Sequence, residues 1–312
     1  KDIVLSTAIV DMYARCGFLS KAQQLLRSFH VQDVVSWNAL ISAYAQEGQS
    51  QEALKCFESM QFEGIRPNAI TFTCILKVCA SIGAVDKGKQ IHDLIVHNGL
   101  LQTDIILGNA LVDMYAKCGF LDKAHKLHKE LPVRSVVSWS AIIVGYANQG
   151  QGQEALDCFK QMKNDGFYPD GVTILCVLSA CGHSGLLDEA QMLFGNMVRE
   201  YGIAPSIDHQ TCMVLSLGLA GHFAEAISVI EAIPYSDHLQ VWVVLLGTCR
   251  KWGNVKLGML AFDQAVQLDC SCAAAYAIMS AIFAAAGLHE DAEKVKSMKF
   301  NMLRESNMMI LY

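Results

Sequence analysis

The chain has 312 residues, 53% of them hydrophobic and 17% charged, with only 5 prolines, a composition that supplies ample core and excludes an intrinsically disordered protein. It contains no run of about 18 uninterrupted apolar residues, which excludes a helical membrane span. Its formal net charge of −6 argues against binding nucleic acid through a uniformly basic surface, while leaving room for a local groove that reads unstacked bases.

The chain opens on Lys1-Asp2-Ile3 with no signal-like or transit-like segment, so it reads as a portion of a longer protein whose address label lies elsewhere. From there the text repeats. Asp11-Met-Tyr-Ala-Arg-Cys-Gly-Phe-Leu19 recurs as Asp113-Met-Tyr-Ala-Lys-Cys-Gly-Phe-Leu121, and Val34-Val-Ser-Trp-Asn-Ala-Leu-Ile-Ser-Ala-Tyr-Ala45 recurs as Val136-Val-Ser-Trp-Ser-Ala-Ile-Ile-Val-Gly-Tyr-Ala147. Aligned on Gly17, Gly48, Gly83, Gly119, Gly150, Gly185, Gly221, Gly253 and Gly287, the spacings are 31, 35, 36, 31, 35, 36, 32 and 34. A triplet that occurs twice is not the signature of a uniform 34-residue tetratricopeptide array.

Within one unit, Trp37, Leu40, Ile41 and Tyr44 follow i, i+3, i+4, i+7 and predict one apolar face of a first helix, which Gly48 ends as a left-handed cap. Ala53, Phe57 and Met60 predict a second helix, closed by Gly64 and Pro67. Ala22, Ala124, Ala155, Ala190, Ala226 and Ala292 stand where Ala53 does, and Gly88 and Gly258 take that place in two units; a small residue there lets the two helices approach closely. A lone helical hairpin cannot bury both faces, so the units must stack. The expected fold is all-α, a right-handed α-solenoid superhelix of about nine helix-turn-helix repeats. Val35, Asn38 and Ser42 fall on the face opposite Trp37, and Asn68 immediately precedes the next first helix. Of the 12 cysteines, Cys16 and Cys118 recur in one context and Cys79, Cys181 and Cys249 in another, which predicts small buried packing residues of a reducing compartment and not ligands.

These strings and the 31/35/36 alternation resemble the plant PLS-class pentatricopeptide-repeat family, over essentially the whole chain. The family's phasing implies an array over 1–238, with units S 3–33, P 34–68, L 69–104, S 105–135, P 136–170, L 171–206 and S-like 207–238. The resemblance further implies that each unit reads one base of single-stranded RNA through its fifth and last residues. The pairs are Thr7/Asp33, Asn38/Asn68, Thr73/Asp104, Asn109/Ser135, Ser140/Asp170, Leu175/Ser206 and Thr211/His238, and the second residue wedges between bases at Val4, Val35, Ile70, Ile106, Val137 and Val172. A terminal Asp can only accept and suits the imino N–H of G or U, whereas a terminal Asn can also donate and suits the ring nitrogen of A or C. Leu175 cannot hydrogen-bond. With protein and RNA running in the family's sense, the implied ligand core is 5′-G-Y-(G)-C-G-3′, where Y is a pyrimidine with C preferred.

Val241-Trp-Val-Val-Leu-Leu-Gly-Thr-Cys-Arg-Lys-Trp-Gly-Asn254 resembles the E1 motif that follows such arrays (239–272), and Ala275 to Gly287 resembles E2 (273–312), which departs from the family at Glu305-Ser-Asn-Met-Met-Ile-Leu-Tyr312. Both motifs imply protein contact, with apolar Met302, Met308, Met309 and Ile310 contributing. His128-Lys129-Glu130 fits half of a zinc deaminase signature, but no P-C-x-x-C follows; the triplet is expected to be a solvated helix face. No catalytic residue, metal site or cofactor is predicted. The resemblance implies a non-enzymatic specificity factor for C-to-U editing in mitochondrion or chloroplast that recruits a DYW-type deaminase and other editing factors in trans. The alternatives are a splicing or transcript-stability factor and a tetratricopeptide-like interaction scaffold.

Overall fold

The computed structural model describes residues 3–28, 33–233 and 239–298, and among these every regular element is helical. In chain order they are α1 (Ile3–Arg15), α2 (Leu19–Ser28), α3 (Val34–Gln46), α4 (Ser50–Phe62), α5 (Ala69–Ile82), α6 (Val85–His97), a 3₁₀ turn (Leu100–Gln102), α7 (Ile105–Lys117), α8 (Leu121–Glu130), α9 (Val136–Asn148), α10 (Gly152–Asn164), α11 (Gly171–Ser184), α12 (Leu187–Tyr201), α13 (Ile207–Ala220), α14 (Phe223–Glu231), α15 (Leu239–Trp252), α16 (Val255–Leu268) and α17 (Ala273–Ala285). One more helix covers 289–298. No helix among the described residues is long and apolar enough to cross a membrane. Met302, Met308, Met309 and Ile310, expected to contact protein, and His238, expected to pair with Thr211, lie outside the described residues.

Two compact units divide the chain. One is Lys1–Gln149 with Cys158–Phe167, the other Gly150–Asp157 with Tyr168–Tyr312. In the first, α1, α3, α5, α7 and α9 pack in succession, and α2, α4, α6 and α8 each bridge their own first helix and the next. In the second, α11, α13, α15 and α17 succeed one another in the same way, with α12, α14 and α16 packed on α11, α13 and α15.

The hairpins form because each turn is specified locally. At the end of α3, Gly48 adopts φ +70°, its N–H donates to Ala45 O at 3.3 Å, and the Gln49 N–H reaches back to Tyr44 O at 2.9 Å. This is a Schellman closure, which a residue with a Cβ would strain. All nine glycines that phase the sequence carry φ between +63° and +86°. Trp37, Leu40, Ile41 and Tyr44 are buried, as are Ala53, Phe57 and Met60; each large side chain so removed from water stabilises the fold by about 1.5–3 kcal/mol.

The small residue on each second helix is buried, and Gly88 shows whose approach it permits. A Cβ there would lie 2.5 Å from Met114 Sδ on α7, so the space admits the following unit's first helix more than the hairpin's own partner. The cysteines divide. Cys79, Cys181 and Cys249 are fully buried, and burial pushes the Cys79 and Cys249 thiols up to about 11. Cys16 is exposed and Cys118 only half-buried, which corrects the expectation of burial for that recurrent position. Cys118 is the C-cap residue of α7, directly before Gly119, and its Sγ lies 3.8 Å from the Cys79 carbonyl oxygen.

Candidate nucleic-acid interface

Six residues that the family's phasing places last in a unit, Asp33, Asn68, Asp104, Ser135, Asp170 and Ser206, are N-caps of the helix that follows. Asp33, Asn68, Asp104, Ser135 and Asp170 are all extended at this junction and accept the N–H of the third helical residue, which satisfies one of the helix's orphan donors. The distances are 2.8 Å from Ser36, 3.0 Å from Thr71, 3.0 Å from Leu107, 3.3 Å from Ser138 and 2.8 Å from Thr173. At Ser206 the same turn is closed by His209, whose Nδ1 lies 2.6 Å from the Ser206 hydroxyl and whose Nε2 donates to the Gly171 carbonyl at 2.8 Å. This capping role was missed from the sequence, although Asp33-x-x-Ser36, Asn68-x-x-Thr71, Ser135-x-x-Ser138 and Asp170-x-x-Thr173 carry its signal.

Because the cap sits at the start of the next helix, its side chain reaches the fifth residue of its own unit. Thr7 donates to Asp33 Oδ2 at 3.0 Å, Asn38 Nδ2 donates to Asn68 Oδ1 at 3.1 Å, and Ser135 donates to Asn109 Oδ1 at 3.0 Å. Burial pushes the Asp33 carboxyl up, but bonds from the Ser36 hydroxyl and N–H and from Thr7 outweigh it and hold the group below the usual carboxylate range. No hydrogen bond joins Thr73 to Asp104. Ser140 bonds back to Val136 O at 2.9 Å and Thr211 to Ile207 O at 2.7 Å. Leu175 is half-buried on α11. Asn38 is only 8% exposed, so that end of the polar face is more enclosed than helical periodicity alone suggests, because Asn68 and Thr71 close over it.

The second residue of six first helices stands apart from the core. Val4, Val35, Ile70, Ile106, Val137 and Val172 are between 56% and 75% exposed. In the first unit, α5, α7 and α9 frame a groove of about 500 Å³ that takes in Thr73, Asn109 and Ser140, with Ile106 and Val137 between them and Lys77 and Lys117 along one side. Lys117 is paired with Asp113 at 2.9 Å. A groove with stiff apolar side chains alternating with hydrogen-bonding ones suits flat bases whose edges are free.

The PPR repeat family profile matches residues 32–81 and 134–183, and the PPR repeat profile matches 4–32, 109–136 and 172–201, together more than half the chain. The chain belongs to the PPR repeat family. The two longer matches are offset by the interval that separates Trp37 from Trp139. Among PPR relatives, Pentatricopeptide repeat-containing protein At4g16470 of Arabidopsis thaliana is 38% identical over 94% of this chain and 58% of its own length. At4g30700 of the same plant is 38% identical over 90% of this chain and 35% of its own, and CRR2, chloroplastic, is 37% identical over 95% and 45%. The chain thus spans between about a third and three-fifths of these PPR relatives. The crystal structure of PPR10 in complex with an 18-nt psaJ RNA element matches with a TM-score of 0.76 at 16% identity, over 97% of this chain and 46% of that one. This likeness shows the fold, an all-helical PPR solenoid.

His128 corrects a reading of the sequence. It is fully buried against Trp139, with ring centroids 4.3 Å apart, and only Lys129 and Glu130 of the triplet are solvated. Leu121, Ala124, Leu127 and His128 form the inward stripe of α8, and the imidazole fills it as a flat apolar body. Neither ring nitrogen of His128 has a partner, nor does Trp139 Nε1, and burial, with Arg134 nearby, pushes the imidazole down to about 4. Among the described residues no group of three His, Cys, Asp or Glu side chains could hold a metal ion.

Proposed function

We propose that this chain binds single-stranded RNA along the face of its first helices, one base per unit, through Thr7/Asp33, Asn38/Asn68, Thr73/Asp104, Asn109/Ser135, Ser140/Asp170 and Thr211, with Val4, Val35, Ile70, Ile106, Val137 and Val172 wedged between bases. The carrying observation is the in-phase pairing of fifth and last residues beside exposed β-branched side chains. The RNA complex of PPR10, a protein of the same fold, supports it. The units are those of the PLS phasing over 1–238, followed by E1-like and E2-like hairpins that contact protein.

Within that reading the chain acts as a specificity factor for C-to-U editing. It places a cytidine for a deaminase supplied by another protein, in mitochondrion or chloroplast; two relatives are named as chloroplastic.

Competition binding tests the core of the proposal. RNA carrying 5′-GCGCG-3′ should outcompete a shuffled RNA of the same composition, and equal competition would overturn it. The chain alone should convert no cytidine to uridine, and conversion should appear only when a partner deaminase is added.

A further inference from the structure

We infer that the third residue of the following unit, where its hydroxyl reaches both members of a base-reading pair as Ser36 and Thr71 do, is a positioning residue for that pair, and that helix capping decides which atoms the pair offers to RNA. This rests on the reading that the pairs contact bases. Thr71 shows the arrangement most fully. It is completely buried in the first turn of α5, yet it touches both members of the pair one unit back. Its hydroxyl lies 2.6 Å from Asn38 Oδ1 and 3.0 Å from Asn68 Oδ1, its N–H donates to Asn68 Oδ1 at 3.0 Å, and the Asn68 N–H donates to its Oγ1 at 3.1 Å.

Of the two ends of a carboxamide only the oxygen can accept a backbone N–H, so the cap settles which way the Asn68 amide is turned. Asn38 Nδ2 donates to that same oxygen at 3.1 Å. The accepting capacity of Asn68 is therefore consumed inside the protein, and the Nδ2 protons are what it has left for a base. The pair presents donors, which suits the ring-nitrogen acceptor of C.

Ser36 builds the same frame with the opposite polarity. Its hydroxyl lies 2.7 Å from Asp33 Oδ1 and 3.0 Å from Thr7 Oγ1. Oδ1 is taken by the helix start, while Oδ2, which accepts from Thr7, keeps a lone pair for an imino N–H. At the third pair the position is Leu107, which has no hydroxyl. Asp104 still caps through the Leu107 N–H at 3.0 Å, but nothing ties it to Thr73. Capping alone thus does not require the hydroxyl; Ser36 and Thr71 bridge both members of a pair, whereas at the fourth pair Ser135 reaches Asn109 directly and Ser138 touches only Ser135.

The test measures base selectivity separately from affinity, on the full 312-residue chain. RNAs differing only at the second base of the 5′-GYGCG-3′ core are competed against Thr71→Val, which keeps size and β-branching, and against Thr71→Ser. The valine variant should lose selectivity for C at that base by about three- to tenfold, the worth of one net hydrogen bond, with selectivity at the other bases unchanged, and serine should restore it. Ser36→Ala should do the same at the first base only, which keeps the idea testable if Thr71→Val fails to fold. Equal weakening of all four RNAs by folded variants, with selectivity intact, would overturn the inference and leave the RNA-binding proposal standing. Absence of any base preference in the unmodified chain would overturn both.

Discussion

The Asn68 carboxamide serves folding with its oxygen and, on the proposed function, recognition with its nitrogen. Replacing it by Asp keeps a good cap but exchanges the remaining donor for an acceptor. Asn68→Asp should therefore shift the second base from C toward U by about 1–3 kcal/mol, by analogy with side chain–base pairs in DNA, while the melting temperature scarcely changes. Competition binding alongside a thermal melt checks both halves, and equal weakening of all RNAs would place residue 68 outside any base contact. His128 is a separate case. Its folded-state value of about 4 lies below the usual value near 6.5, so between those two pH values the unfolded chain takes up a proton that the folded one refuses. Stability is thus greatest above about pH 6.5 and falls toward pH 4, by up to roughly 3 kcal/mol from this one group. His128→Leu should flatten that slope and raise the melting temperature at pH 5, by removing two unpartnered ring nitrogens; an unchanged pH profile would show that the imidazole is solvated.

At the scale of the helix, two side chains near the end of α15 bond to α13. Trp252 donates from Nε1 to the Gly218 carbonyl at 3.0 Å, and Lys251 donates to the Leu219 carbonyl at 3.1 Å, so two carbonyls in the last turn of α13 take partners from the following unit, that of Gly218 in addition to the Gly221 N–H at 3.1 Å. Trp252→Ala should cost the second compact unit about 1–3 kcal/mol, read as faster amide exchange in α13 and α15 with α1 to α7 unaffected and RNA affinity nearly unchanged. The hairpins themselves were legible in the sequence, because a glycine at positive φ is a backbone demand that only a few residues meet, and because Trp37, Leu40, Ile41 and Tyr44 declare a helical face by spacing alone. What periodicity could not show is contact between units. It placed Asn38 and Asn68 near one groove, but gave no sign that Thr71, from the next unit, would bind both. It also scored His128 as polar, when its place beside Leu127 and across from Trp139 makes the imidazole a core group.

At the scale of the chain, the net charge of −6 and a groove that holds Lys77 and Lys117, the latter already paired with Asp113, predict that counterion release contributes little to RNA affinity. Each phosphate contact to a single strand adds about −0.7 to the slope of log affinity against log salt. The slope for a five-base core should therefore be shallower than about −3, measurable by titration across a range of potassium chloride; a much steeper slope would put the RNA on some other, basic face. On the proposed function, the identity of cap and reader also limits what such a chain can become. The set of residues allowed at positions 33, 68, 104, 135 and 170 is the short list of good helix starters, so the vocabulary for recoding is set by backbone chemistry before any RNA is met. Asn, Asp and Ser start a helix almost equally well. A lineage can therefore exchange them and wander from one transcript to another without passing through an unstable ancestor, whereas a lysine or leucine at the same place would be purged for misfolding whatever it recognised.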